Sequence, residues 1–222
     1  MAEPTGFLYP FIDSEESDPA PLLADLAVSA AAKWAQSTRL RDATLSALDT
    51  QLRTTAADIA THLAAGGQIF TFGNGGSSTD ADAFAQLCTR PPSGAPVAAR
   101  SLAWDQAVIT ALANDVSFDV VFSRQLIAYG RPGDIAIGFS TSGNSDNLLM
   151  AFEEATRRQM LTVGLSGYDG GRMGASEAVR HCLVVRSDSV HRIQECQAAV
   201  AHELWAQIQS ELRDRPEERY VS

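Results

Sequence analysis

The sequence predicts an α/β fold, a parallel sheet with helices covering both faces in three layers. Two observations carry the prediction. From Gln68 onward, short apolar runs recur, and each closes in a polar or glycine-rich turn. Helical stretches then separate one run from the next, and strands alternating with helices of this length build parallel sheets buried on both sides.

The elements follow in order. From Pro21 to about Ala65 the pattern is helical, with Leu22, Leu23 and Leu26, then Leu40, Leu45, Leu48 and Leu52, recurring at threes and fours. Two long helices are expected here, Asp42 or Thr44 opening the second and Gly66-Gly67 stopping it after Leu63. Gln68 to Phe72 is the first strand, ending in Gly73-Asn74-Gly75-Gly76-Ser77, and Ser78 to Cys88 is a helix. Pro91 to Pro96 forms a loop, Val97 to Leu102 a strand, and Trp104–Leu112 and Ser117–Tyr129 two helices. Asp134 to Phe139 is a buried strand closing in Ser140-Thr141-Ser142-Gly143-Asn144-Ser145, with a helix from Asp146 to Arg158. Leu161 to Ser166 is a strand followed by the turn Gly167–Gly171. His181 to Val185 is the last strand and Arg192 to Leu212 the closing helix.

Composition excludes several function classes. The 222 residues are 45% apolar and 20% charged, enough for a core without disulfide or metal staples. A formal charge of −10 argues against wrapping nucleic acid or coating an anionic membrane. No apolar run approaches the roughly 20 residues that span a bilayer, and the N-terminus lacks the basic-then-apolar pattern of a cleaved signal. Cys88, Cys182 and Cys196 are widely spaced, with no CxxC, and read as buried small side chains in a reducing, cytoplasmic setting. The acidity is concentrated in a leader, residues 1–21. Residues 1–25 hold six acids and no Lys or Arg, beside Phe7, Tyr9 and Phe11. That leader reads as an arm packed on its own or a neighbouring subunit, or as a docking peptide for a protein partner through residues 7–18. Residues 213–222 form a charged tail.

The two polar loops suit an anion. In open α/β sheets ligands bind beyond the carboxyl ends of the strands, where both loops fall. Glycines in the first let the main chain approach a ligand, and the following helix presents its positive end. Four hydroxyls in the second precede another helix start, enough donors to surround a phosphate with no Lys or Arg in either loop. Neither loop matches a Walker or dinucleotide-binding turn. Serines before a helix are often simple caps. Two such loops, each after a buried strand, point to a phosphorylated small molecule.

These motifs occur in a recognisable order: GNGGS, AND at Ala113–Asp115, RPGD at Arg131–Asp134, STSGNS, the GYDGG turn and RIQE. Together, over about residues 30–212, the chain resembles the SIS (sugar isomerase) domain family, in its phosphoheptose isomerase and initiator-associating branch. The resemblance implies a five-stranded parallel sheet, a homotetramer, and sugar-phosphate sites at subunit interfaces. The SIS domain then spans residues 22–212, with N-terminal helices over 22–65, an α/β core over 68–190 and the closing helix over 192–212. By position, Ser77, Ser140, Thr141, Ser142 and Ser145 would hold phosphate, and Asn74, Asp115 and Gln194 would meet the sugar.

The chain departs from the isomerase pattern where chemistry is done. Aldose–ketose isomerisation needs a base for a carbon-bound proton and a group that polarises the carbonyl. The isomerase helix reads HFAEEL, its His and second Glu four apart on one face, and joins a Gln and a His of the last helix around a metal ion. Here that helix reads Ala83-Phe84-Ala85-Gln86-Leu87-Cys88, so Ala83 replaces the metal His and Leu87 the catalytic Glu. Gln194 and His202 keep the spacing of the last-helix pair, which leaves His202 at a catalytic position and these two as residual metal candidates. Two neutral ligands make a weak divalent site, so no cofactor is expected, and zinc only in an active isomerase. Asp80 falls at a family position read as structural, and His191 is expected to be exposed. The expected function is a phosphosugar-binding regulator or assembly factor. The alternatives are an isomerase acting on sedoheptulose 7-phosphate with a rearranged site, and a structural scaffold.

Overall fold

The computed structural model describes residues 20–214. The leader through residue 19, including the docking segment 7–18, and the tail from 215 on lie outside the described residues. The described residues fall into two units that divide between Thr38 and Arg39. What is described of the first is the leading part of α1 (Ala20–Ala64), where Leu22, Leu23, Leu26, Val28 and Trp34 are exposed.

The second unit follows the rest of α1 with β1 (Ile69–Gly73), α2 (Gly76–Thr89), β2 (Ala99–Ser101), α3 (Gln106–Asp115) and α4 (Ser123–Tyr129). Then come β3 (Ile135–Phe139), α5 (Asp146–Arg157), β4 (Leu161–Gly167), α6 (Gly171–Ala175), β5 (His181–Val185) and α7 (Val190–Asp214). The five strands form one parallel sheet in the order β2-β1-β3-β4-β5, with Ile69 opposite Ile135, Ile135 opposite Leu161 and Val163 opposite His181.

Every residue of β1, β3 and β4 is buried, as expected of strands covered on both faces. The two-residue alternation of a strand divides them between two cores. Ile69, Ile135, Ile137, Phe139, Val163 and Leu165 face α1, α2 and α7, where Leu52, Ile59, Phe84, Val200 and Leu204 meet them. Phe70, Phe72 and Ala136 face the opposite way, against Phe122 and Leu126 near α4 and Phe152 of α5. The ring of Phe72 lies 5.5 Å from that of Phe122 and 5.2 Å from that of Phe152. Gly138 passes between these rings, and a Cβ there would meet Phe152 at 2.6 Å and Phe72 at 2.9 Å.

The structure corrects four local expectations. The two N-terminal helices are one, since α1 runs unbroken over 45 residues. No Gly or Pro occurs between Leu22 and Ala65, so the potential caps Asp42 and Thr44 yield to continued backbone hydrogen bonding. Asp42 pairs with Arg41, and Thr44 is buried in mid-helix. The expected stop does hold. Gly66 takes φ +90° and Gly67 N–H donates to His62 O at 2.9 Å.

The helix expected over Trp104–Leu112 is shifted to Gln106–Asp115, because Asp105 caps it by accepting from Val108 N–H. The helix expected over Ser117–Tyr129 splits into a single 3₁₀ turn, Phe118–Val120, and α4. Of the three cysteines, all free, Cys182 is only half-buried. Burial pushes the Cys88 thiol up to about 12 and the Cys182 thiol to about 11, so both are poor nucleophiles.

Candidate functional site

The strand order places a topological switch point between β1 and β3, because β1 connects onward to β2 on one side while β3 to β5 continue on the other. The two polar loops leave the carboxyl ends of those two strands, whose last residues, Gly73 and Phe139, are paired. A reciprocal amide pair ties the loops together. Asn74 Nδ2 donates to Asn147 Oδ1, and Asn147 Nδ2 donates to Asn74 Oδ1, both at 2.9 Å.

The first loop turns at Gly75, φ +54°, and enters α2 at Gly76. Ser77 and Ser78 N–H close the turn onto Asn74 O and Gly75 O, each at 3.0 Å. Two of the amides that a helix start can offer a ligand are therefore already engaged, and the buried Ser77 hydroxyl becomes the more direct donor.

The second loop is clamped from below. Gly143 takes φ +66° and lies so close to Gly170 O and Ser166 Oγ that no side chain fits. Met173 N–H donates to Gly143 O at 2.8 Å. Within the loop, Ser140 Oγ accepts from Gly143 N–H at 3.0 Å and Ser142 Oγ from Asn144 N–H at 3.2 Å. Both hydroxyl hydrogens stay available to an acceptor. Ser145 caps α5 by position without a side-chain hydrogen bond, and Thr141 is half-buried beside it.

Below the loops, α2 and α7 run side by side and enclose a cleft of about 160 Å³ lined by Asp80, Ala83, Phe84, Leu87, Ala198, Ala201 and His202. Gln194 adjoins the cleft through Asp80. It packs against Gly76, where a Cβ would collide with its amide, and its Nε2 donates to Asp80 Oδ2 at 3.2 Å. Burial raises the Asp80 carboxyl above the ordinary aspartate range, and the Gln194 hydrogen bond opposes the shift in part. The His202 ring lies tilted against that of Trp205, centroids 5.3 Å apart, and the residue is otherwise exposed. Among the described residues, no three His, Cys, Asp or Glu side chains are grouped to hold a metal ion.

Most of the sequence-predicted residues are thus gathered at one end of the sheet: Asn74, Ser77, Ser140, Thr141, Ser142 and Ser145 in the loops, Gln194 and His202 along the cleft. Asp115 is not among the cleft residues. It ends α3, exposed, and accepts from its neighbour Asn114. Asp80, read from the sequence as structural, lines the cleft. Asp82 points elsewhere and accepts from the Ser101 hydroxyl. Gln86 and His191 are exposed. His62 bonds Gly133 O and His181 bonds Asp58, so both serve the scaffold.

Two residues escaped the sequence reading. Arg172 of α6 donates to Asn144 O and pairs with Asp146 at 2.6 Å, bringing a positive charge to the second loop. The fully buried Gln197 donates to Ser140 O at 3.0 Å. Only the turn of α7 that Gln197 shares with Gln194 could have hinted at it. A larger open groove of about 320 Å³, walled by Val108, Leu112, Ala128 and Tyr129, has no comparable set of hydroxyls.

Comparison with known proteins agrees with the fold. The SIS domain family model matches residues 34–167. The phosphoheptose isomerase of Desulfovibrio desulfuricans is 46% identical over 171 residues, which cover 74% of this chain and 78% of that protein. The solved phosphoheptose isomerase of Neisseria gonorrhoeae superimposes with a TM-score of 0.76 at 36% identity, covering 83% of this chain and 99% of that one. That of Francisella tularensis gives a TM-score of 0.78 at 29% identity, covering 83% and 98%. By sequence and by architecture, the chain belongs to the SIS domain family.

Proposed function

We propose that this protein binds a phosphorylated sugar at the β1/β3 switch point and serves as a regulator or assembly factor, without the metal-assisted proton transfer of the isomerases it resembles. Phosphate is gripped by the hydroxyls of Ser77, Ser140, Thr141, Ser142 and Ser145 with the α5 dipole behind them. Asn74 and Gln194 meet the sugar, which extends into the α2–α7 cleft. The observation that carries the reading is that Ala83 and Leu87 line that cleft beside His202. Neither side chain can ligate a metal or accept a proton. With Gln194 engaged by Asp80, the donor set does not fit a divalent ion.

The protein works in the cytoplasm as a homotetramer. The exposed apolar residues on the leading part of α1 support self-association. That none of the described helices is long and apolar enough to cross a membrane is compatible with that setting.

A second reading, an active isomerase, is favoured by one observation: Asp80 shares the cleft with His202 and holds its proton to a higher pH than an ordinary aspartate. One experiment separates the two. The purified full chain is assayed with sedoheptulose 7-phosphate, with and without added zinc, and its melting is followed with the same ligand. The regulator reading expects no turnover in either condition. It also expects a ligand stabilisation of about 2.7 kcal/mol at one hundred times the dissociation constant, lost in Ser140→Ala/Ser142→Ala. Zinc-dependent turnover that His202→Ala abolishes would overturn it.

A further inference from the structure

Gln197 of α7 is fully buried, and only part of its amide is satisfied. Its Nε2 donates to Ser140 O at 3.0 Å, while its Oε1 has no hydrogen-bond partner. Turning the amide over would set its oxygen against Ser140 O, so the contact itself fixes the orientation. A stranded buried carbonyl is costly, and an apolar side chain of similar volume would avoid it. What the glutamine supplies in exchange is control of one peptide plane. The carbonyl and N–H of a trans peptide point in opposite directions, and none of the described peptide bonds is cis. Holding Ser140 O toward α7 therefore turns Thr141 N–H away from α7, where it meets no acceptor among the described residues. The later part of the loop is fixed from elsewhere. Met173 N–H donates to Gly143 O at 2.8 Å, and Arg172 N–H to Asn144 Oδ1 at 2.9 Å.

We propose that Gln197 is a positioning residue for the anion bound by the second loop. By holding the Ser140–Thr141 peptide, it aims Thr141 N–H at the phosphate beside the Ser140 and Ser142 hydroxyls. This role deepens the phosphosugar-binding reading and rests on it. A main-chain amide is not aimed by its own side chain, so a loop without Lys or Arg depends on contacts of this kind from outside. Gln209, further along α7 and also buried, makes the contrast. Its Nε2 donates to Ala95 O and its Oε1 accepts from Ala95 N–H, both at 2.9 Å. Both ends of that amide are satisfied, and the segment it holds belongs to neither polar loop.

The test titrates sedoheptulose 7-phosphate and inorganic phosphate into the full-length protein by calorimetry and follows the melting of each variant. Gln197→Met keeps the bulk of the side chain and exchanges one stranded acceptor, Gln197 Oε1, for another, Ser140 O. Its Tm should therefore stay within about 3 °C of wild type. Loss of one aimed N–H should nevertheless weaken both ligands about 10–100-fold, the usual worth of a hydrogen bond to a charged group. Gln197→Leu also lacks the donor and should weaken them likewise, which guards against a misfit peculiar to methionine. Gln209→Met should do the reverse, lowering Tm by about 3–10 °C with both affinities unchanged. Wild-type affinity in a folded Gln197→Met or Gln197→Leu protein would overturn the proposal. So would a loss of affinity matched by Gln209→Met, because it would report general loosening of α7. If neither ligand binds the wild-type chain, the phosphosugar reading itself fails and the role of Gln197 goes with it.

Discussion

Gln194 reaches from α7 to α2 and donates its Nε2 hydrogen to Asp80 Oδ2 at 3.2 Å, joining the two helices at the mouth of the cleft. The amide is held in place from its other side by Gly76, whose missing side chain leaves the space it occupies. The bond therefore links the first polar loop to the cleft, and it acts on a carboxyl group whose proton affinity is already altered by burial.

That alteration gives a pH dependence of known sign. Desolvation raises the folded-state Asp80 carboxyl, so the folded protein holds this proton more tightly than the unfolded chain does. Stability from this group is greatest below the ordinary aspartate range and is lost as pH rises through the raised folded value. Asp80→Asn removes the charge yet keeps an oxygen for Gln194. We expect the variant to have a higher urea midpoint than wild type at neutral pH, with the two converging in acid. A wild-type advantage at neutral pH would contradict this.

Gly143 should be the least replaceable residue of the second loop. Alanine at a left-handed position costs about 1–2 kcal/mol, and here its Cβ would also drive into Gly170 O and Ser166 Oγ. With overpacking adding about 1–3 kcal/mol, Gly143→Ala should lose about 2–5 kcal/mol, or roughly 5–15 °C in Tm for a chain of this size. Gly66→Ala is the control. It shares a positive φ but has nothing within 4 Å of the added methyl, so it should lose only the conformational part. Equal losses in the two variants would show that the Gly170 contact is not what constrains the loop.

The contrast between those glycines bears on what the sequence revealed. The strands were legible because burial on both faces leaves an unmixed apolar run, and Leu161 to Ser166 and His181 to Val185 reappear almost residue for residue. Both polar loops were legible for the same reason, since each begins where such a run stops. The continuity of α1 was not, because Asp42 and Thr44 carry the same local signal whether they cap a helix or lie within one. Arg172 and Gln197 were invisible for a different reason. Their roles depend on partners 28 and 57 residues away in the chain, Asn144 and Ser140. No local pattern encodes those distances.

If Ala83 and Leu87 are what keep metal out of the cleft, restoring the isomerase pattern should let it in. Ala83→His and Leu87→Glu place two ligands four apart on one helical face, opposite Gln194 and His202. Zinc should then stabilise the double variant by about 2.7 kcal/mol at one hundred times its dissociation constant and leave the wild-type melting curve unmoved. A chelator should reverse the gain. An equal zinc response in the wild-type chain would mean that its own donors already bind the ion.

The Asn74–Asn147 pair makes the final prediction, because it ties the two loops with a closed pair of amide hydrogen bonds. Asn147 is 2% exposed, so removing Asn74 strands a buried amide, and removing Asn147 leaves the half-buried Asn74 amide unpaired. Asn74→Ala and Asn147→Ala should each cost about 1–3 kcal/mol. The double variant should cost less than the sum, by a coupling of about 0.5–3 kcal/mol, since it leaves no amide stranded. The hydroxyls proposed to hold phosphate come from both sides of this bridge, Ser77 from one loop and Ser140 to Ser145 from the other. Breaking it should therefore weaken phosphosugar binding even in the double variant, where stability is partly recovered. Calorimetric titration beside the urea series separates these effects. If affinity recovers in step with stability, the bridge supports the fold and does not hold the loops in register for the ligand.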